Sequence, residues 1–299
     1  MEDPAWPRIT DLFVDGPAGI LGTADIALLG APMGEGSVTP GRCDLAPRLI
    51  RETLRRFSSY DVETGLELAL AIRDAGDLPL AGVTPADGFA AIRGAVAACT
   101  AEHALTVLLG GNNAITRPAA HGLGVPLARV GLITLDAHFD LRDTDKGPIN
   151  GNPIRCLLDD GLPGANICQI GLAPFANTAL MHRDAIAAGI GVWTIADCKA
   201  RGIIAAIDEA LARLAHCDAL MIDFDIDVID RSQCPGAPGA RPGGLSADAF
   251  FAAARALAAQ PRVRLVDLTE FDPSLDVGQI TALTAARWFC EIAAGVAAR

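Results

Sequence analysis

The sequence predicts an α/β fold built on a parallel sheet with helices over both faces, and three observations carry that prediction. Short β-branched and aliphatic runs alternate with longer stretches of helical spacing along the whole chain. The short runs are almost continuously apolar, the pattern of strands buried on both faces. The chain has 299 residues, 51% of them hydrophobic, enough to bury a large core and to exclude a disordered polymer.

Residues 26–30 read as the first strand and 47–57 as the first helix. Helix 87–101 precedes strand 104–109, and strand 130–136 precedes helix 153–160. Strand 167–171 pairs with helix 178–188, and strand 191–195 with helix 203–215. Strand 219–224 leads to helix 247–258, with Ser246 placed to cap its first turn, and strand 263–268 leads to helix 279–297. Successive βα units of this kind imply right-handed crossovers. No repeat, low-complexity tract or linker divides the sequence, so residues 1–299 are expected to form one domain.

Composition narrows the function. Lys and Arg number 24 against 36 Asp and Glu, a net charge of −12, which argues against nucleic-acid binding through clustered cations. Apolar runs such as 104–109 fall short of the roughly 20 residues of a bilayer span. The opening Met-Glu-Asp-Pro-Ala-Trp-Pro has no basic and apolar leader pattern. A cytoplasmic protein without a nucleic-acid or membrane partner is expected. The eight cysteines (43, 99, 156, 168, 198, 217, 234 and 290) form no Cys-x-x-Cys pair and read as small buried hydrophobes. His103, His121, His182 and His216 fall on helical or loop segments and read as structural. The stretch from Gly30 to Gly36 lacks dinucleotide-site glycine spacing and reads as a loop over a pocket.

In open parallel sheets ligands gather beyond the carboxyl ends of the strands. Four predicted strands deliver polar groups there: Gly110-Gly111-Asn112-Asn113-Ala114, Asp136-Ala137-His138-Phe139-Asp140, Asp225-Ile226-Asp227 with Asp230 beyond, and Glu270. In extended backbone, alternate residues share one side, so Asp136, His138 and Asp140 form one set and Asp225 and Asp227 another. Carboxylates so gathered would repel one another unless a cation neutralised them. Oxygen-rich ligation with one imidazole suits Mn2+, with Ni2+ or Fe2+ as alternatives.

These motifs resemble those of the ureohydrolases, the family of arginase, agmatinase and formimidoylglutamase, in order and strand-end position over roughly residues 26–290. The resemblance implies an arginase-like three-layer α/β/α fold with a mainly parallel sheet of about eight strands, a manganese pair, and a trimer or hexamer. It implies that Asp136 and Asp225 bridge two metals, that Asp140 binds the first, and that His138 and Asp227 bind the second. Glu270 then holds the substrate's amidine or guanidine, hydroxide attacks the amidine carbon, and Asp140 carries the proton.

Two departures bear on the reading. Asn113 stands where the family has a metal-binding His, and its neutral amide oxygen is a weaker donor, so one firm ion and a weaker or absent second are expected. Asn150, in Asn150-Gly151-Asn152-Pro153, stands where arginases and agmatinases carry a shuttle His. That loop and the turn at Gly161-Leu162-Pro163-Gly164 resemble the formimidoylglutamase branch. Arg142, with Lys146 and Arg155 beside it, forms a cationic cluster suited to a substrate carboxylate, and Asn150 and Asn152 are further candidate substrate-binding residues. The expected activity is hydrolysis of N-formimidoyl-L-glutamate to glutamate and formamide. The alternatives are a guanidino hydrolase releasing urea, and a degenerate, metal-poor member without catalysis.

Overall fold

The computed structural model describes residues 6–14 and 24–299. The opening residues 1–5, part of the stretch behind the leader expectation, lie outside that description. In chain order the elements are β1 (Ile26–Ala31), α1 (Ala46–Leu54), β2 (Tyr60–Asp61), β3 (Leu66–Glu67), β4 (Ile72–Asp77), α2 (Pro85–Glu102), β5 (Leu105–Gly110), α3 (Thr116–His121), β6 (Val130–Leu135) and α4 (Pro153–Asp159). There follow β7 (Ile167–Leu172), α5 (Ala179–Ala188), β8 (Gly191–Thr194), α6 (Ile195–Arg201), α7 (Ile203–Arg213), β9 (Ala219–Asp225), α8 (Ala247–Ala258), β10 (Val263–Thr269) and α9 (Ile280–Ala297).

Eight strands form one sheet in the order β4-β1-β5-β10-β9-β6-β7-β8, and every pairing in it is parallel. Strands β2 and β3 make a separate antiparallel ribbon. The period of two along each strand divides the core. Ile26, Leu28, Ile222 and Val266 face a layer built from α1, α6, α7, α8 and α9, while Ala27, Leu29, Met221 and Leu265 face α2, α3, α4 and α5. The first layer holds an aromatic cluster, with Phe224 edge-on to both Phe250 and Trp288.

All seven expected strands and seven expected helices are present, with ends shifted by up to three residues. Ser246 caps α8 by accepting the Ala249 N–H at 3.1 Å. The sequence reading did not anticipate β4, the β2–β3 ribbon, α3 or α6. Strand β4 is a sheet edge whose Arg73, Asp74 and Asp77 break the apolar pattern, as edges that must resist further pairing do. Ile195, expected to end a strand, begins α6, where Thr194 and Asp197 form a capping box. Apolar runs were expected to fall short of a membrane span, yet α9 has the length and composition of one. It is 72% buried and serves as a core helix against α8 and α1.

Trp288 is fully buried on α9. Trp288→Ala is expected to cost about 3–5 kcal/mol in urea unfolding through the cavity it leaves. A loss below about 1 kcal/mol would show that this layer does not carry the core.

Candidate metal centre

Both acidic motifs begin where a strand stops, and both use the same local device. Asp225 is the last residue of β9, and its Oδ1 accepts the Asp227 N–H at 2.9 Å, capping a single 3-10 turn over Ile226–Val228. Asp136 follows β6 directly, and its Oδ1 accepts the His138 N–H at 2.7 Å. In each motif the first aspartate folds the turn that presents the next polar side chain. The extended alternation expected from the sequence is therefore replaced by bends, and Asp140 lies in the left-handed region at φ 53°. Glu270 follows β10 at φ 62°, held by its N–H to the Gly111 carbonyl at 3.0 Å.

The bends bring Asp136, His138 and Asp227 together, with ligand atoms all within 4.8 Å of one another. His138 Nδ1 lies 3.0 Å from Asp227 Oδ2 and 3.3 Å from Asp136 Oδ1. Gly239 closes over this group: a Cβ there would stand 1.9 Å from Asp227 Oδ2 and 3.1 Å from His138 Cε1. Asp140 and Asp225 stand outside that tight triad but line the same cavity of about 140 Å³, together with His138, Asp227 and Glu270. Its exposed rim includes Val38, Arg142 and Arg241.

Burial sets the electrostatics. It pushes Asp136 up to about 6 and Glu270 up to about 7. Burial and then neighbouring carboxylates push Asp140 and Asp225 well above the usual carboxylate range. Burial also acts on Asp227, but His138 outweighs it and holds that carboxyl low. Asp227 in turn raises the imidazole to about 12 against its own burial. One imidazolium thus faces five buried carboxyl groups, an imbalance a divalent cation relieves. The donor set and the cradle under Gly239 both fit such an ion.

An arginase family model matches residues 24–295. The chain belongs to the arginase family. It is 34% identical over 265 residues to a formimidoylglutamase of Halalkalibacterium halodurans, covering 87% of this chain and 83% of that one. The crystal structure of formimidoylglutamase from Bacillus subtilis superposes with a TM-score of 0.92 at 28% identity, over 99% of this chain and 93% of that one. A Trypanosoma cruzi formiminoglutamase solved with Mn2+ shares the fold at a TM-score of 0.89 and 24% identity, over 98% of this chain and 99% of that one.

Within this arginase-family site the asparagines have distinct work. Asn113 donates from Nδ2 to Asp140 at 2.6 Å, while its Oδ1 accepts from Thr116 and Thr269. Its amide thus meets Asp140 as a donor, where the sequence reading expected an oxygen ligand. Asn150 donates from Nδ2 to Glu270 Oε1 at 2.9 Å, and its Oδ1 accepts the Val38 N–H at 2.8 Å. It clasps the loop after β1 to the carboxylate at Val38, which with Thr39 lines the cavity, while no residue of the expected covering stretch Gly30–Gly36 does. Asn152, expected to bind substrate, does not reach the cavity. It is fully buried and ties the loop between the motifs, donating to the Asp143 and Gly147 carbonyls.

The cationic cluster is also rearranged. Arg142 lines the cavity and makes no ion pair with Asp143 or Asp145 among the described residues. Lys146 does not line it, and Arg155 is paired with Asp184 on α5. The second cation at the rim is Arg241, in a Pro- and Gly-rich loop to which the sequence reading gave no substrate-binding role. The other four histidines lie away from the cavity, and all eight cysteines are free.

Gly239→Ala is expected to cut divalent-metal affinity at least tenfold in equilibrium dialysis while the fold persists, because its Cβ would displace Asp227. Unchanged affinity would place the ion elsewhere. A second expectation concerns pH. Carboxyls raised in the folded, metal-free protein bind more protons than they do unfolded, so stability must fall as pH rises from about 4 to about 8. The raised His138 acts in the same sense above about 6.5. The Tm of metal-free protein should therefore drop between about pH 5 and about pH 8, and saturating Mn2+ should remove most of that drop. A Tm that rises over this range would contradict the charge imbalance.

Proposed function

We propose that the protein hydrolyses a linear amidine bearing carboxylates, converting N-formimidoyl-L-glutamate and water to glutamate and formamide. The observation that carries this reading is a cavity with an acidic floor and two rim arginines, Arg142 and Arg241. An amidinium head suits the carboxylates, and Arg suits carboxylate tails through paired hydrogen bonds. The formimidoylglutamase relatives support the same substrate class.

Asp136, His138, Asp225 and Asp227 would hold one ion, which we assign as Mn2+, and Asp140 would face a second, weaker one. Nickel or ferrous iron would meet an acceptable donor set in the same place. When bound, such an ion lowers the pKa of water and supplies hydroxide at neutral pH. The chain's own residues do the rest. Glu270 Oε1 is held by the Asn113 N–H at 2.7 Å and by Asn150 Nδ2, which leaves Oε2 to accept from the amidinium. Asp140, buried beside the ion's position, takes a proton from the attacking water and passes it to the glutamate nitrogen as the C–N bond breaks. Asn150 cannot transfer a proton, and its clasp on Glu270 gives it a positioning role instead.

Asp136→Asn and Asp225→Asn are each expected to reduce turnover by several powers of ten with the fold retained, as read by circular dichroism. Near-normal turnover in either would remove the metal assignment. Arg142→Ala and Arg241→Ala should each raise KM for the acidic amidine about ten- to a hundredfold while altering kcat little. Formamide should be the product. Faster urea release from a guanidino acid than formamide release from N-formimidoyl-L-glutamate would replace this substrate with the other.

A further inference from the structure

Asn113 stands at the end of a buried hydroxyl chain that the proposed reaction does not use. Its Oδ1 lies 2.7 Å from Thr116 Oγ1 and 3.2 Å from Thr269 Oγ1, while its Nδ2 lies 2.6 Å from Asp140 Oδ2. Thr116 Oγ1 also lies 3.0 Å from Asp267 Oδ2, and Thr116, Thr269 and Asp267 are wholly buried. An amide has one accepting end and one donating end, so its orientation toward Asp140 is decided by what meets its other side.

We infer that Thr116 is a positioning residue for the metal centre: by donating to Asn113 Oδ1, it turns the amide nitrogen rather than the carbonyl oxygen toward Asp140. The hydroxyl has one proton and two oxygen neighbours, so in this arrangement Asp267 donates to Thr116 in turn. The shorter contact, 2.7 Å to Asn113 Oδ1 against 3.0 Å to Asp267 Oδ2, agrees with the proton lying toward the amide. The consequence falls on Asp140. An N–H group beside it cannot ligate a cation. A second ion entering there must break the Thr116 bond and reverse the amide before it gains an oxygen donor. Thr116 thereby sets how unequal the two metal positions are, a conclusion that rests on the metal reading proposed above.

Equilibrium dialysis of the full-length protein against Mn2+, with bound metal counted by mass spectrometry, tests this without reference to activity. Thr116→Val leaves Asn113 Oδ1 with only the longer Thr269 contact, and the second ion should bind about tenfold tighter. Thr116→Ser keeps the hydroxyl and should behave as the unmodified protein. Thr269→Val should shift the second affinity in the same direction by less, and it decides the matter if Thr116→Val does not fold. An unchanged second affinity in the folded variants, or an equal shift in Thr116→Ser, overturns the inference while leaving the first ion in place. Failure of the unmodified protein to bind any Mn2+ defeats the metal reading itself, and this role with it.

Discussion

Asp136, Asp140, Asp225, Asp227 and Glu270 are all buried around one imidazole at the carboxyl edge of the sheet. Charges so placed are tolerated only if something positive joins them. Much of the architecture serves that requirement. Parallel strands β5, β6, β9 and β10 are neighbours in the sheet, so their ends reach one place although they lie far apart in sequence. The two aspartate-capped turns then convert strand ends into ligand carriers. Gly239 lets the following loop close on Asp227 with no side chain in the way.

Around that centre Asn113 and Asn150 act as hydrogen-bond organisers. Asn113 uses its backbone N–H on Glu270 and its side chain on Asp140, so one residue orients both carboxylates. Asn150 joins Glu270 to the loop over the cavity. A neutral amide fixes both a donor and an acceptor at once. That property suits a site whose substrate carries its own charge and whose covering loop must be held in register with the carboxylate beneath it.

The strands were legible because burial on both faces leaves a continuous apolar run, as in β6 and β9, and the metal-ligand candidates because they sit at the ends of those runs. What escaped depends on contacts distant in sequence. Strand β4 reads as polar because Arg51 of α1 pairs with its Asp74 and Asp77 at the exposed edge. Arg155 read as part of a cationic cluster because nothing nearby in sequence shows that Asp184 of α5 takes it. Asn152 read as a substrate-binding residue, and its partners are loop carbonyls whose position follows from the folded turn. Arg241 was hidden because a Pro- and Gly-rich loop has no periodicity from which to read direction, and only its approach to the cavity gives it meaning.

The central claim is that a divalent cation neutralises the buried carboxylates at Asp136, His138, Asp225 and Asp227. Anomalous diffraction from crystals grown with Mn2+ tests it most directly. A strong manganese peak within bonding distance of His138 Nδ1 and of the Asp136 and Asp227 carboxylates is the predicted result. A map with no manganese peak among these residues, or with its strongest peak elsewhere on the molecule, would contradict the account.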